Sequence, residues 1–353
     1  MKYALNDIFI VQAPVSNIDS RSECNPFHTD GMLPLFTAPM TSVVDLNNYK
    51  LFIDNKINPI IPRSVDFLER RCLCGDVWCA FSLDEFISFA DPNKLYLPDG
   101  KKLYVLIDTA NGNMKKLHDV IKRTKQAFGS DIQIMAGNIA NPEAYAILSD
   151  AGADYIRCGI GGGSACITAS NTGIYYTMGS LIKECFEKSL TLKNPASIIA
   201  DGGIKGFGDI EKALALGADY VMCGSVFNKM LESAGETYEL FYNDDNELEM
   251  GENVNQYGTT VLEYFNEGCK YCKSFYGMST KKAQKELGNS KLKTSEGIEK
   301  IQNVEYTMSK WTENFTDYLK SAMSYTGSIE LYDFIGNVET IIVSNSSYDS
   351  VNK

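Results

Sequence analysis

The chain has 353 residues, 44% of them hydrophobic, with a net charge of −12, ten cysteines and two histidines. That length and apolar content allow a large core, while the acidic balance excludes the basic field that holds a nucleic-acid backbone. No run approaches the roughly 20 apolar residues of a membrane span, and the start, MKYALND, carries no charged-then-apolar signal.

These features give the expectation of a cytoplasmic protein with neither membrane nor nucleic-acid partner. A single phosphate can still be held by backbone N–H groups, which does not depend on net charge. In a reducing compartment the cysteines are expected to be buried, catalytic or metal-bound rather than paired. With His28 and His118 alone, a multi-histidine metal centre is not expected.

Along the chain, short apolar runs recur at 33–38, 58–61, 77–81, 103–107, 133–136, 155–158, 197–200 and 220–223. Each is short enough for a buried parallel strand. Helical patterns lie between them, as in NPEAYAILSDA at 141–151 and GDIEKALAL at 208–216. Strand–helix alternation repeated eight times predicts an α/β protein, a (β/α)8 TIM barrel. An open doubly wound sheet is disfavoured by the count. Residues that break the apolar pattern, or stand out in it, follow the run ends: Pro39-Met40, Asp108, Gly137-Asn138, 159–168, Asp201-Gly202-Gly203 and Gly224-Ser225. In a barrel these ends share one face, where ligands bind.

Two stretches depart from the rhythm. Residues 238–274 are acidic and Asn-rich and read as an insertion in the last βα connection. Residues 279–295, STKKAQKELGNSKLKTS, contain no aromatic residue and read as a mobile flap. The expected organisation is a single catalytic barrel over 1–353 carrying this insertion and flap.

The string at 159–168, GIGGGSACIT, places Cys166 at the end of a glycine-rich loop. Missing side chains permit close backbone approach to a ligand, and a nest of N–H groups favours a thiolate. Cys166 is therefore a candidate nucleophile, set against the common fate of a free cysteine in the core. A second group, Cys72, Cys74, Cys79, Cys269 and Cys272, is a candidate zinc set. Its C-x-C-x4-C spacing is irregular, and buried or loose thiols are the plainer reading.

GIGGGSACIT, with AGN at 136–138, ADGGI at 200–204, GDIEKALALGADYVMCGS at 208–225 and FYGMS at 275–279, resembles the IMP dehydrogenase/GMP reductase family from about residue 35 to 345. IMP dehydrogenases usually carry CBS modules after the second barrel strand, and residues 62–76 have no room for them. They also use an Arg-Tyr pair in the flap, and residues 279–295 contain neither. DTANG at 108–112, FYGMS and Ser295-Glu296-Gly297 are similar to the reductase branch. ADGGI looks more like the dehydrogenases. Arg63 stands near a reductase lysine, Thr41 where aspartate is common, Ala169 where arginine is common, and Thr177-Met178 where Pro-Gln is usual.

The resemblance implies NADPH-dependent reductive deamination of GMP to IMP and ammonia through a Cys166 thioimidate. Alternatives are a CBS-less IMP dehydrogenase oxidising IMP to XMP with NAD, a reductase for a modified purine nucleotide, and a nucleotide-binding barrel without catalysis. It implies Thr168 and Glu296 as the proton-handling pair, each otherwise readable as a turn hydroxyl and a solvated flap charge. Asp201 is implied as the ribose acceptor, with Gly202, Gly203, Gly224, Ser225 and Ser164 around the phosphate. Met40, Tyr276, Gly277 and Met278 would line the base, the last three mostly through backbone contacts. Asp108, Asn111 and Gly112 would meet the nicotinamide end of the cofactor. Gly161, Gly163 and Cys166 are implied as carbonyl ligands of a monovalent cation such as K+. A homotetramer is the implied assembly.

Overall fold

The computed structural model describes residues 2–91, 95, 101–243, 247–288 and 291–351. Its strands in chain order are β1 (Ile8–Ile10), β2 (Leu35–Thr37), β3 (Ile60–Ile61), β4 (Trp78–Phe81), β5 (Leu103–Asp108), β6 (Ile132–Ile139), β7 (Tyr155–Cys158), β8 (Ser197–Asp201), β9 (Tyr220–Cys223), β10 (Thr237–Tyr242), β11 (Leu248–Val254), β12 (Lys270–Tyr276), β13 (Glu299–Asn303) and β14 (Thr340–Ile342). Strands β2 to β9 form one parallel sheet in the order β2-β9-β8-β7-β6-β5-β4-β3. A parallel bridge from Phe36 to Asn58 brings its two ends together. Helices Tyr49–Asp54, Phe67–Leu73, Leu83–Phe89, Lys115–Phe128, Pro142–Ala151, Met178–Ser189, Phe207–Ala215 and Met308–Thr326 follow the eight strands in turn. This is the expected (β/α)8 barrel.

The period-2 alternation of a strand sorts the side chains. Phe36, Ile60, Trp78, Ala80, Leu106, Met135, Ile199, Tyr220 and Met222 form one buried cluster that fills the barrel. Their neighbours, including Leu35, Ile61, Cys79, Val105, Ile134, Ile156, Ile198 and Val221, join a second cluster with the helices. Both faces are apolar, which is why the strands read as continuous runs rather than alternating ones. The same parity sends Asp108, Arg157 and Asp201 inward at the strands' C-terminal ends.

Strand β6 runs three residues past the expected end, with an irregularity against β7 between Gly137 and Ile139. Strand β3 has two residues, because Asn58 pairs with β2 outside the regular ladder. The 238–274 insertion is built rather than loop-like: β11, β10, β12 and β13 make an antiparallel sheet, with helix Thr259–Asn266 between β11 and β12. Strand β13 extends this unit beyond residue 274, so the sheet brackets the flap on both sides. The flap contains the helix Lys281–Glu286, capped by the Thr280 side chain. Residues 244–246 of the insertion and 289–290 of the flap lie outside the described residues. A two-stranded sheet of β1 and β14 joins the chain's ends. No helix among the described residues is long and apolar enough to cross a membrane.

Candidate active site

Cys166 sits in the loop between β7 and the helix Thr168–Thr172. Its Sγ–H donates to Thr168 Oγ1 at 3.2 Å, and the Thr168 hydroxyl donates to Glu296 Oε2 at 2.7 Å. Thiol, hydroxyl and carboxylate thus form one chain across 130 residues of sequence. Backbone pairing holds both ends in place. The Ile167 N–H donates to Glu296 O at 2.9 Å, Ile298 N–H to Ala165 O at 3.0 Å, and Cys166 pairs with Gly297 in an antiparallel bridge.

The glycines have steric reasons. A Cβ on Gly159 would stand 2.1 Å from Asp201 O, so the Cys166 loop leaves the barrel pressed against the end of β8. Cβ atoms on Gly277 and on Gly297 would each stand 3.0 Å from Ala165 O. The end of β12, the residues after the flap and the Cys166 loop therefore meet around one peptide. Gly202 and Gly203 turn beside Gly162 and Gly163, and Gly224 lies beside Met40 and Ala38. Ser225 opens the four-residue helix Ser225–Asn228 after β9. Ser164 is exposed at the rim of the Cys166 loop.

Asp201 ends β8 and accepts three hydrogen bonds on Oδ2: from Arg157 Nε at 3.1 Å, Arg157 Nη2 at 2.9 Å and Asn138 Nδ2 at 2.7 Å. The other carboxylate oxygen accepts none among the described residues. Arg157 Nη1 reaches Asp108 Oδ1 at 2.7 Å. Burial works against the guanidinium's charge, but the two carboxylates outweigh it and raise the Arg157 pKa. Sequence reading missed Arg157. The available signal was a cation inside the apolar run YIRC, on the inward parity.

The expected cofactor residues lie at and just after the end of β5. Asp108 faces the barrel mouth. Gly112 N–H donates to Asn138 O at 2.8 Å, tying the ends of β5 and β6, while Asn111 is exposed and accepts from Asn113 N–H at 3.0 Å. Of the base-lining residues, Met278 Sδ lies 3.8 Å from Thr41 Oγ1. The Tyr276 ring is buried, and its hydroxyl donates to the Glu286 carboxylate in the flap helix at 2.9 Å. Burial and that carboxylate raise its pKa.

The Gly163 carbonyl already accepts from Cys166 N–H at 2.9 Å, which leaves its second lone pair for a cation. All ten cysteines are free thiols, with Cys72 and Cys269 exposed and Cys74, Cys79 and Cys272 buried. Among the described residues no three His, Cys, Asp or Glu side chains gather as a metal set.

The chain is a (β/α)8 barrel whose C-terminal rim carries a loop-borne thiol hydrogen-bonded to a hydroxyl and a carboxylate, beside an inward carboxylate and glycine turns. Comparison with known proteins narrows the class. The model of the IMP dehydrogenase / GMP reductase domain matches residues 99–352. The GMP reductase of Oceanobacillus iheyensis is 30% identical over 345 residues, 94% of this chain and 93% of that one. The GMP reductase of Onchocerca volvulus is 30% identical over 293 residues, 81% of this chain and 72% of that one. The inosine-5'-monophosphate dehydrogenase of Chlorobaculum tepidum is 46% identical over 133 residues, 38% of this chain and 26% of that one. The chain belongs to the IMP dehydrogenase/GMP reductase family.

Proposed function

We propose that the protein is an NADPH-dependent GMP reductase, converting GMP to IMP and ammonia. The observation that carries this reading is the Cys166–Thr168–Glu296 hydrogen-bonded chain. As drawn, each donor points toward Glu296, so the carboxylate is the acceptor of the thiol's proton. Cys166 Sγ then adds to C2 of the guanine. The proton passes through Thr168 to Glu296 and on to the C2 amino group, which departs as ammonia rather than as the unstable amide anion. A thioimidate remains on C2. The dinucleotide supplies a hydride to that carbon, and the C–S bond breaks as IMP leaves.

The nucleotide is held by this chain's rim. Asp201 offers its second oxygen to the ribose hydroxyls, fixed by Arg157 and Asn138. The turns at Gly202-Gly203 and Gly224-Ser225, with Ser164, give N–H and hydroxyl donors for the phosphate. Met40 and Met278 face the base, and Gly277 offers backbone. The cofactor enters on the Asp108 side. Oxygen donors at Gly161, Gly163 and Cys166 suit a monovalent cation such as K+. In this reading residues 1–353 act as a single catalytic barrel in a cytoplasmic homotetramer.

The reductase direction rests on similarity to GMP reductases over most of the chain, nearly full-length for that of Oceanobacillus iheyensis. It also rests on residues 62–77, which hold one helix, Phe67–Leu73, where CBS modules would be inserted. The flap offers no Arg-Tyr pair, and its Glu286 is engaged by Tyr276. The second reading, a CBS-less IMP dehydrogenase using NAD, is favoured by ADGGI at 200–204 and by the higher identity of the 133-residue stretch. Thr41, Ala169 and Thr177-Met178 leave room for a modified purine as substrate. The test is product analysis: GMP with NADPH gives IMP and ammonia in equal amounts, and absence of both overturns the reading.

A further inference from the structure

The flap leaves the sheet after β12 and returns to the Cys166 loop through Glu296. Its two legs touch: a Cβ on Gly297 would stand 3.0 Å from Ser279 Oγ and 3.1 Å from Thr280 Cγ2. One side chain clasps them. Gln284, buried in the flap helix, donates from Nε2 to Ser279 O at 2.9 Å and to Lys293 O at 3.2 Å, and its Oε1 accepts from Lys293 N–H at 2.6 Å. The amide takes both backbone groups of Lys293, as a neighbouring strand would, and both of its own N–H donors are used. The helix that carries it is fixed in turn, by the Thr280 cap at its start and by Glu286 on the Tyr276 hydroxyl at its end.

Glu296 therefore lies between two anchors. On its C-terminal side, Ile298 N–H donates to Ala165 O and Gly297 pairs with Cys166. On its N-terminal side, among the described residues, the hydrogen bonds that tie 291–295 to another segment are those of Lys293 with Gln284. One anchor leaves the backbone free to turn at Glu296. Two fix the direction of its Cα–Cβ bond, and with it the 2.7 Å contact between Oε2 and the Thr168 hydroxyl. A reacting group tolerates little misplacement. We infer that Gln284 is a positioning residue for Glu296: by clamping Lys293 it aims the carboxylate at Thr168. It acts through Glu296 rather than on the ligands. The inference rests on the reductase reading above for what that carboxylate does.

The experiment compares wild type, Gln284→Met, Glu296→Gln and the double variant. Lys282→Met is the comparator, since it frees the flap helix from Glu236 and Glu299 without touching Lys293. The readouts are turnover of GMP with NADPH and the pH profile of Cys166 alkylation by iodoacetamide, followed on the Cys166 peptide, which needs no turnover. Gln284→Met keeps the length of the side chain and removes all three bonds. Its kcat is expected to fall about ten- to a hundredfold with KM for GMP unchanged. Its alkylation profile moves in the direction that Glu296→Gln moves it. The double variant shows no more than the Glu296→Gln effect, because both changes act on one path. Lys282→Met quickens proteolysis in the flap and leaves kcat and the profile near wild type. An unmoved profile in Gln284→Met overturns the inference, as do equal losses in the wild-type and Glu296→Gln backgrounds. A rise in KM that accounts for the loss, or a Lys282→Met variant that matches Gln284→Met, also overturns it, since either makes Gln284 a general support of the flap. Wild type that makes no IMP from GMP defeats the reductase reading instead, and the alkylation profiles still test Gln284 against Glu296.

Discussion

Each member of the Cys166–Thr168–Glu296 chain makes a different demand on its replacement. In the proposed reading Cys166→Ala removes the nucleophile, so turnover is expected to be lost while GMP binding, assigned to Asp201 and the glycine turns, persists in calorimetry. Glu296→Gln keeps the shape and removes the proton acceptor. Turnover is expected to fall about 10²–10⁴-fold, the usual worth of a positioned general acid or base. Arg157 is a structural counterpart to these. Replacing it with Met leaves Asp108 and Asp201 facing each other in a half-buried mouth, at a cost of about 3 kcal/mol or more in denaturant unfolding. Cys166 stood out as a candidate because a glycine string precedes it. Glu296 entered only through resemblance, since nothing in the local sequence marks it, and the structure brings the two together through Thr168. Arg157 went unread because a cation in an apolar run means something only once inward parity and its two carboxylate partners are known.

At the scale of elements, the β10–β13 sheet carries the flap and sets its two ends. Tyr276 holds the flap helix through Glu286, and Lys282 lies over the Tyr276 ring while binding Glu236 and Glu299. Tyr276→Phe removes the hydroxyl bond to a carboxylate, worth about 1.5–3 kcal/mol locally. Limited proteolysis within 279–295 is expected to quicken, with little change in global melting. Lys273 on β12 is fully buried with its ammonium on Ser233 O at 2.6 Å, and burial lowers its pKa from 10.5 to about 7. The unfolded chain keeps that proton up to about pH 10, while the folded chain gives it up near 7. Stability therefore rises as pH climbs from 7 towards 10. Lys273→Met flattens that rise, as followed by urea midpoints at pH 7 and 9.5. The barrel strands were legible because parallel strands buried on both faces are continuous apolar runs. The antiparallel insertion was not, because β11 is exposed on both faces and its acidic, Asn-rich sequence carries no alternation.

For the molecule as a whole, the barrel brings residues from β2, β5, β7, β8, β9 and the flap to one rim. Charge there is balanced by alternation rather than by excess, although the chain carries −12 overall. In the proposed reading an anionic nucleotide is accordingly met by backbone N–H groups rather than by a basic field. Sedimentation analysis is expected to give four copies per particle. The architecture followed from counting eight strand–helix alternations. The joint packing of the Cys166 loop, β12 and the residues after the flap around Ala165 could not be read from sequence, because it depends on contacts between segments more than 100 residues apart.

The most direct measurement follows absorbance at 340 nm with GMP and NADPH, and separately with IMP and NAD+, for wild type and Cys166→Ala. The account predicts a fall with GMP that disappears in Cys166→Ala, and no change with IMP. A rise with IMP and NAD+, or a fall with GMP that survives in Cys166→Ala, contradicts it.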